Sequence, residues 1–374
     1  MKIAVNTRLL IKDKMDGIGL FTFEMFSIIT KQHPEISFYF IFDRKPNADF
    51  IFGDNVHPII LWPKTRHIYL FPFWYQIILK KALRRLNPDV FVATDGMFPL
   101  RSNINTLAVI HDLNFEHYPE TLPKNVLNYY LKYFYQFAKK ATRIATVSEF
   151  SKNDIINTYQ IKADKIDVVY NGANSKFQSI SDNEKSNVKV EFTNNQNYFL
   201  FVGTLHPRKN ILRLLMAFNQ FKTATKSKMK LVLVGKKMWW TTEINTFFEQ
   251  MEARSDVVFT GRVNDNELTK ITAAAYAITY VPIFEGFGIP LVEAMQCGVP
   301  VITSNVTSMP EVVEGAGLLV NPFSEDEIAK AMIRLAADEN LRKELAEKSI
   351  QQAAKFSWEK SARLLMDAIM KSVH

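Results

Sequence analysis

Val281-Pro282-Ile283-Phe284-Glu285-Gly286-Phe287-Gly288-Ile289-Pro290-Leu291-Val292-Glu293-Ala294-Met295 reads as three joined pieces. A strand ends at Val281, a loop with two glycines follows, and a helix begins with Pro290 in its first turn, where a missing N–H costs nothing. Gly298, with Pro300 behind it, closes that helix. Strand, glycine loop and helix N-terminus together form an anion site, because backbone N–H groups and the positive dipole end face one spot. Gly286 and Gly288 let a phosphate approach without a Cβ in the way. Glu285 before the helix and Glu293 about one turn inside it are candidates to accept hydroxyl hydrogen bonds at two ends of one ligand. Either carboxylate alone reads as a solvated group at a turn, but the complete string points to a binding site.

Upstream, Phe201-Val202-Gly203-Thr204-Leu205-His206-Pro207-Arg208-Lys209-Asn210 again runs a strand into a glycine turn, after which two adjacent cations are expected to begin a helix. Cations there oppose the helix dipole by about 0.3–1 kcal/mol, a local violation of the kind that marks function. A diphosphate between these cations and the Gly286 loop offsets it. Asp16-Gly17-Ile18-Gly19 starts like a dinucleotide fingerprint, but position 22 is Thr and no acid closes the second strand before Asp43, so it reads equally as a tight turn. His111-Asp112 follows a strand at 106–110, and the carboxyl ends of strands in an open α/β sheet face the ligand crevice. Ser148, with Ser151 or Lys152 after it, reads as a helix cap. The chain has no zinc spacing, no G-x-S-x-G and no G-x-x-x-x-G-K-[ST]. No metal or cofactor is expected, which leaves metal-free chemistry on a nucleoside diphosphate.

Around these motifs, short apolar β-branched runs alternate with longer amphipathic ones, the pattern of parallel sheets wrapped by helices. Strands are expected at 2–6, 37–42, 56–61, 90–93, 106–110, 143–147 and 166–169, then at 198–202, 230–234, 257–260, 277–281, 299–303 and 318–320. Runs such as Leu231-Val232-Leu233-Val234 suit strands covered on both faces. At 374 residues the chain suits two domains. Residues 1–173 form the first, 174–197 a polar linker, 198–355 the second, and 356–374 a helix crossing back to the first.

On these residues the chain resembles the retaining glycosyltransferases of family 4, the group 1 transferases of the GT-B fold, over essentially its whole length. The most specific match is E-x7-E, here Glu285 to Glu293. It is supported by Gly203 with Pro207-Arg208-Lys209-Asn210, by Gly17-Ile18-Gly19, His111-Asp112 and Ser148-Glu149-Phe150-Ser151, and by Asn171-Gly172. The resemblance implies two Rossmann-like doubly wound α/β domains facing a central cleft, the first for the acceptor and the second for the nucleotide sugar. It implies that Glu293 holds the donor ribose, and that Glu285 with Gly286, Phe287, Gly288 and Ile289 contacts donor sugar and phosphate. Arg208 and Lys209 then neutralise the diphosphate, Gly17 and Gly203 lie close to it, His111 lies near the transferred sugar, and Arg262 and Val263 lie beside the nucleobase. The expected enzyme is a metal-independent, retaining hexosyltransferase of polysaccharide or glycoconjugate biosynthesis, leaning toward mannose. It uses a GDP- or UDP-linked donor and a glycan or lipid-linked acceptor. Many members carry Arg where Thr204 stands here, and Arg208 is the candidate to supply that charge.

Charge and composition bound the partners. A net charge of +8 and a pI near 9.2 attract anions. Hydrophobic residues at 47% and charged ones at 22% describe a globular protein. One cysteine, Cys297, fits a reducing compartment, and Asn6 and Arg8 interrupt the N-terminal apolar run, so a cytoplasmic location is expected. Residues 62–86, from Trp62 to Leu86, hold Lys64, Arg66, Lys80, Lys81, Arg84 and Arg85 among Tyr69, Phe71, Phe73, Trp74 and Tyr75, with no acid. This segment reads either as a surface helix whose aromatics pack on the sheet, or as one resting on an anionic bilayer at the inner membrane face. Two other readings stay open. A GT-B sugar-nucleotide epimerase would release nucleotide without an acceptor, and a nucleic-acid-binding protein, argued from pI alone, lacks any recognised module, so no nucleic-acid partner is expected.

Overall fold

The computed structural model describes residues 1–65 and 67–373. Its two compact units are residues 1–171 with Trp358–His374, and Gly172–Ser357.

Among the described residues, unit 1 is built on seven parallel strands: β1 (Lys2–Asn6), β2 (Ser37–Phe42), β3 (Val56–Ile60), β4 (Val90–Ala93), β5 (Thr106–Val109), β6 (Arg143–Thr146) and β7 (Ile166–Val168). Their order is β3-β2-β1-β4-β5-β6-β7, so the winding reverses between β1 and β4. In register, Ile3 lies against Phe38 on one side and Val90 on the other. Unit 2 has six: β8 (Tyr198–Val202), β9 (Lys230–Val234), β10 (Val257–Gly261), β11 (Ala277–Tyr280), β12 (Val301–Ser304) and β13 (Gly317–Val320). Their order is β10-β9-β8-β11-β12-β13, reversing between β8 and β11. Both are the doubly wound, parallel α/β arrangement expected, and all thirteen strands lie where the apolar runs predict them. Ligands of such sheets bind beyond the carboxyl ends of the strands at the reversal. In unit 2 that point joins the loops after β8 and β11.

The central strands are apolar without alternation because helices cover both faces: Tyr198-Phe199-Leu200-Phe201-Val202 is buried at every position. In unit 1, Trp74, Tyr75, Phe91, Phe137 and Ile144 share one core. In unit 2, Tyr198, Leu200, Val232 and Ile271 share another. The helix Trp358–Val373 belongs to unit 1 and packs on the helix Gly17–Gln32, with Ala362, Leu365 and Ile369 buried and Lys371 paired to Asp167 at 2.9 Å.

One expectation requires correction. The expected linker 174–197 contains the helix Asp182–Thr193, opened by a capping box in which Ser181 and Glu184 satisfy each other's backbone N–H. Its Val188 enters the core of unit 2. In the segment 62–86, part of the aromatic set packs on the sheet, as one of its two readings expected. Helical structure begins at Ile68, and Phe71, Trp74 and Tyr75 are core residues. Trp62, Tyr69, Phe73 and Ile77 are exposed instead. Arg66 lies outside the described residues.

Candidate active site in the second unit

The loop after β11 is held from several sides. Thr303 Oγ1 donates to the Tyr280 carbonyl at 2.7 Å, Ser304 Oγ to Pro282 at 2.7 Å and Ser308 Oγ to Glu285 at 2.9 Å. Asn210 Nδ2 donates to the Val281 carbonyl at 3.1 Å and to Pro322 at 2.6 Å. Gly288 sits at φ +91° as the cap of the helix Ile289–Gln296, with Pro290 in the first turn. That left-handed backbone favours glycine, while a Cβ there would meet only the flexible end of Met309, Cε, at 2.9 Å. Phe287 is buried against the Phe356 ring at 5.4 Å. Gly286 lies between Glu285 and Phe287, while Ile289 opens the helix and half-buried Glu293 stands a turn inside it.

The expected cations do not begin a helix. Pro207–Lys209 is a separate helical turn after β8, and Asn210 at φ +63° divides it from the helix Ile211–Thr225. The dipole penalty is therefore avoided. The turn aims both side chains at the loop after β11. Arg208 Nη1 donates to Glu285 Oε2 at 2.9 Å and to the Phe284 carbonyl at 3.2 Å. Lys209 Nζ donates to the same Glu285 oxygen and to the Tyr280 hydroxyl, and lies 4.9 Å from the centre of the Tyr280 ring. Tyr280 completes the set by donating to Glu285 Oε2 at 2.9 Å. The Ile283 N–H donates to the Arg208 carbonyl at 2.9 Å, tying the two loops together by backbone as well.

Burial alone would raise the Glu285 acid. The adjacent Lys209 and Arg208 charges and the hydrogen bonds from Lys209 and Tyr280 outweigh it and hold the carboxyl at about 2. Glu285 is thus ionised throughout the neutral range. Two fixed cations against one carboxylate leave a net positive spot at the β8–β11 reversal, suited to binding an anion and stabilising charge that develops on it.

Three strand ends line up beside that spot. The Gly203 N–H donates to the Val234 carbonyl at 2.9 Å and the Gly235 N–H to the Gly261 carbonyl at 2.8 Å. A Cβ on Gly235 would lie 1.9 Å from the Gly203 carbonyl oxygen. Thr204 is exposed at the surface, as is Arg262, while Val263 packs against the core of unit 2.

The remaining expected residues are in unit 1. Asp16 caps the helix Gly17–Gln32 by accepting from the Gly19 N–H at 2.9 Å. Gly19 is the sterically required glycine, since a Cβ there would meet the Leu9 carbonyl at 2.8 Å. A Cβ on Gly17 would meet nothing within 4 Å. His111 Nε2 is 3.0 Å from the Thr94 carbonyl and its ring packs edge-on to Phe21 at 5.1 Å. A carbonyl accepts only from a protonated nitrogen, so Nε2 carries the hydrogen; burial lowers the His111 pKa and favours the neutral ring. Ser148 caps the helix Glu149–Tyr159 through the Ser151 N–H at 3.0 Å, the bland role expected of it.

Sequence reading missed Tyr280, Ser308 and Gly235, and it named Asn210 without the role it plays here. Only Gly235 carried a local signal, a glycine directly after the strand Leu231-Val232-Leu233-Val234. Also unforeseen is a buried network in unit 1, where Asp95 accepts from Arg8 at 2.9 Å, Tyr75 at 2.6 Å and Asn6 at 2.9 Å.

Comparison with known proteins identifies the family. The family described as glycosyl transferases group 1 matches residues 182–352, and glycosyltransferase family 4 matches residues 31–177. The O-antigen chain mannosyltransferase B of Escherichia coli is 34% identical over 279 residues, 74% of this chain and 73% of that protein. The O-antigen chain mannosyltransferase RfbU of Salmonella typhimurium is 31% identical over 258 residues, 69% of this chain and 67% of that protein. Among solved structures, HepE of Anabaena in complex with UDP and glucose superposes with a TM-score of 0.78 at 18% identity, covering 99% of each chain.

Proposed function

The chain belongs to the group 1 glycosyltransferases of the GT-B fold, and on that premise we propose that it moves a hexose, mannose foremost, from a GDP- or UDP-linked donor to a glycan or lipid-linked acceptor in polysaccharide biosynthesis, with retention and without a metal ion. The observation that carries this reading is the meeting of Arg208, Lys209 and Glu285 at the β8–β11 reversal. In the reaction the bond between the sugar's anomeric carbon and the diphosphate oxygen breaks, and negative charge grows on the leaving diphosphate. Arg208 and Lys209 are fixed donors for that charge, and a fixed donor needs no reorganisation when the charge appears. Glu285, engaged by three donors on one oxygen, orients those cations and accepts from a sugar hydroxyl, while Glu293 accepts from the ribose. A carboxylate so engaged is a poor covalent nucleophile. Same-face attack by the acceptor hydroxyl on an ion pair of sugar cation and diphosphate, with the hydroxyl proton passing to the departing diphosphate oxygen, accounts for retention.

A lipid-linked acceptor is supported by the outer face of unit 1. Tyr69 (77% exposed), Phe73 (47%) and Ile77 (57%) follow one another at helical spacing and lead to exposed Lys81, Arg84 and Arg85. Such a face suits the headgroup layer of an anionic membrane. No helix among the described residues is long and apolar enough to cross one.

The test is transfer from GDP-mannose and a panel of UDP- and other GDP-sugars in EDTA, with product anomers read by NMR. Transfer with a retained anomer is expected. Inverted product, or activity only after divalent metal is added back, overturns the corresponding part of the reading.

A further inference from the structure

We propose that Trp239 is the platform on which the donor nucleobase stacks, and so the residue that sets preference between purine and pyrimidine nucleotides. The inference rests on the proposed nucleotide-sugar donor and names a part of that site.

Strand β9 lies between β8 and β10, so the segment that leaves it rises between the loop bearing Arg208 and Lys209 and the turn at Gly261. The segment is tied to the first of these by the Leu205 N–H, which donates to the Lys236 carbonyl at 3.1 Å. It begins at Gly235, where the absence of a side chain lets it pass against Gly203. Lys236-Lys237-Met238-Trp239-Trp240 follows.

Its residues divide into two groups. Lys237 and Trp240 join a half-buried aromatic cluster: the Lys237 ammonium lies 3.5 Å from the Phe259 ring centre and 4.7 Å from that of Trp240. Trp240 packs edge-on against Phe248 and Phe259, at 5.7 and 5.4 Å, and its indole N–H donates to Asn245 at 3.0 Å. Trp239 makes a different contact. Its ring meets His206 edge to face at 4.9 Å, and His206 Nδ1 accepts from the Arg208 N–H at 3.3 Å. One imidazole therefore separates this indole from the cation turn. Trp239 is half-buried, and its neighbour Met238 is 66% exposed.

A rigid ring, partly open to solvent and one residue's width from a diphosphate-binding pair, suits the other end of a nucleoside diphosphate. A purine or pyrimidine stacks on an indole face without needing a hydrogen-bond code, and the larger purine gains more. A Trp that merely covered His206 would have no reason to discriminate between bases.

The experiment measures binding of GDP, UDP and inorganic pyrophosphate by titration calorimetry to the wild type, Trp239→Ala and Trp239→Phe, with thermal melts to confirm folding. Trp239→Ala should weaken GDP about tenfold or more, UDP less, and pyrophosphate not at all, with Trp239→Phe recovering most of the loss. Unchanged GDP binding in Trp239→Ala overturns the platform while leaving the donor reading intact. An equal loss for GDP and pyrophosphate also overturns it, since Trp239 would then act by supporting His206 and the cation turn. A wild type that binds pyrophosphate but neither nucleotide overturns both readings.

Discussion

Lys209 and Glu285 stand 76 residues apart in the chain and meet in one hydrogen-bonded ion pair, to which Arg208 and Tyr280 add their own hydrogen bonds. The pair joins the turn after β8 to the loop after β11, the two segments that the reversal of strand order brings side by side.

Removing one of these cations takes away a donor to the departing diphosphate. Lys209→Ala and Arg208→Ala should each lower kcat by about 10²–10³-fold, or roughly 2.7–4 kcal/mol. Steady-state transfer assays check this, and near-normal turnover in Lys209→Ala would refute the phosphate role.

A nucleoside diphosphate should stabilise the protein in EDTA. At a hundredfold excess over Kd the gain is about 2.7 kcal/mol, readable as a rise in Tm with GDP or UDP. A Tm indifferent to every nucleoside diphosphate contradicts the proposed site.

Acid should uncouple the pair. The Glu285 carboxyl titrates at about 2 in the fold against 4.5 in an unfolded chain, so below about 4.5 the unfolded chain binds the extra proton. Its contribution to stability is complete above that pH and is lost as pH falls toward about 2. Urea midpoints followed from pH 6 to 3 should fall more steeply for the wild type than for Glu285→Gln, and parallel curves would count against the ion pair.

Two glycines should respond in opposite ways to alanine. Gly235→Ala places a Cβ 1.9 Å from a backbone oxygen at φ +145° and should cost at least about 3 kcal/mol or abolish folding. Gly17→Ala has open space and an ordinary φ, so the melting temperature should hold. A loss of turnover in that stable variant would mark Gly17 as a site where a ligand approaches the backbone.

Vesicle co-sedimentation tests the outer face of unit 1. The wild type should pellet with anionic vesicles at low salt and less at high salt. Lys81, Arg84 and Arg85 replaced together by Gln should weaken binding, at about 1 kcal/mol per cation, while donor hydrolysis is spared. Wild-type protein that stays in the supernatant sinks the membrane reading.

The strands were legible because buried parallel strands are continuous apolar runs, and each reads locally. The helix Asp182–Thr193 was hidden by its polarity, since only Val188 and Thr193 are buried; the Ser181–Glu184 spacing was the available sign. Residues 62–86 left two readings open because an aromatic reads alike whether it faces a core, as Trp74 does, or solvent, as Tyr69 does. Placing the cations at a helix start overlooked Asn210, a residue type that tolerates the left-handed backbone and so divides one turn from the next. Tyr280 could not have been found, because its role comes from a contact with Lys209 across 71 residues.

The helix Trp358–Val373 has a further consequence, for biosynthesis. Unit 2 is one uninterrupted stretch of chain, but unit 1 buries Ala362, Leu365 and Ile369 from a helix that follows unit 2 in the chain. Although domains usually mature in the order in which they leave the ribosome, here the first unit must wait. Its seven strands emerge early with one face short of its final helix, and they keep apolar surface open while the second unit is being synthesised. Of the two units, the one begun earlier is therefore completed later, and that interval is when a chaperone would have most to cover.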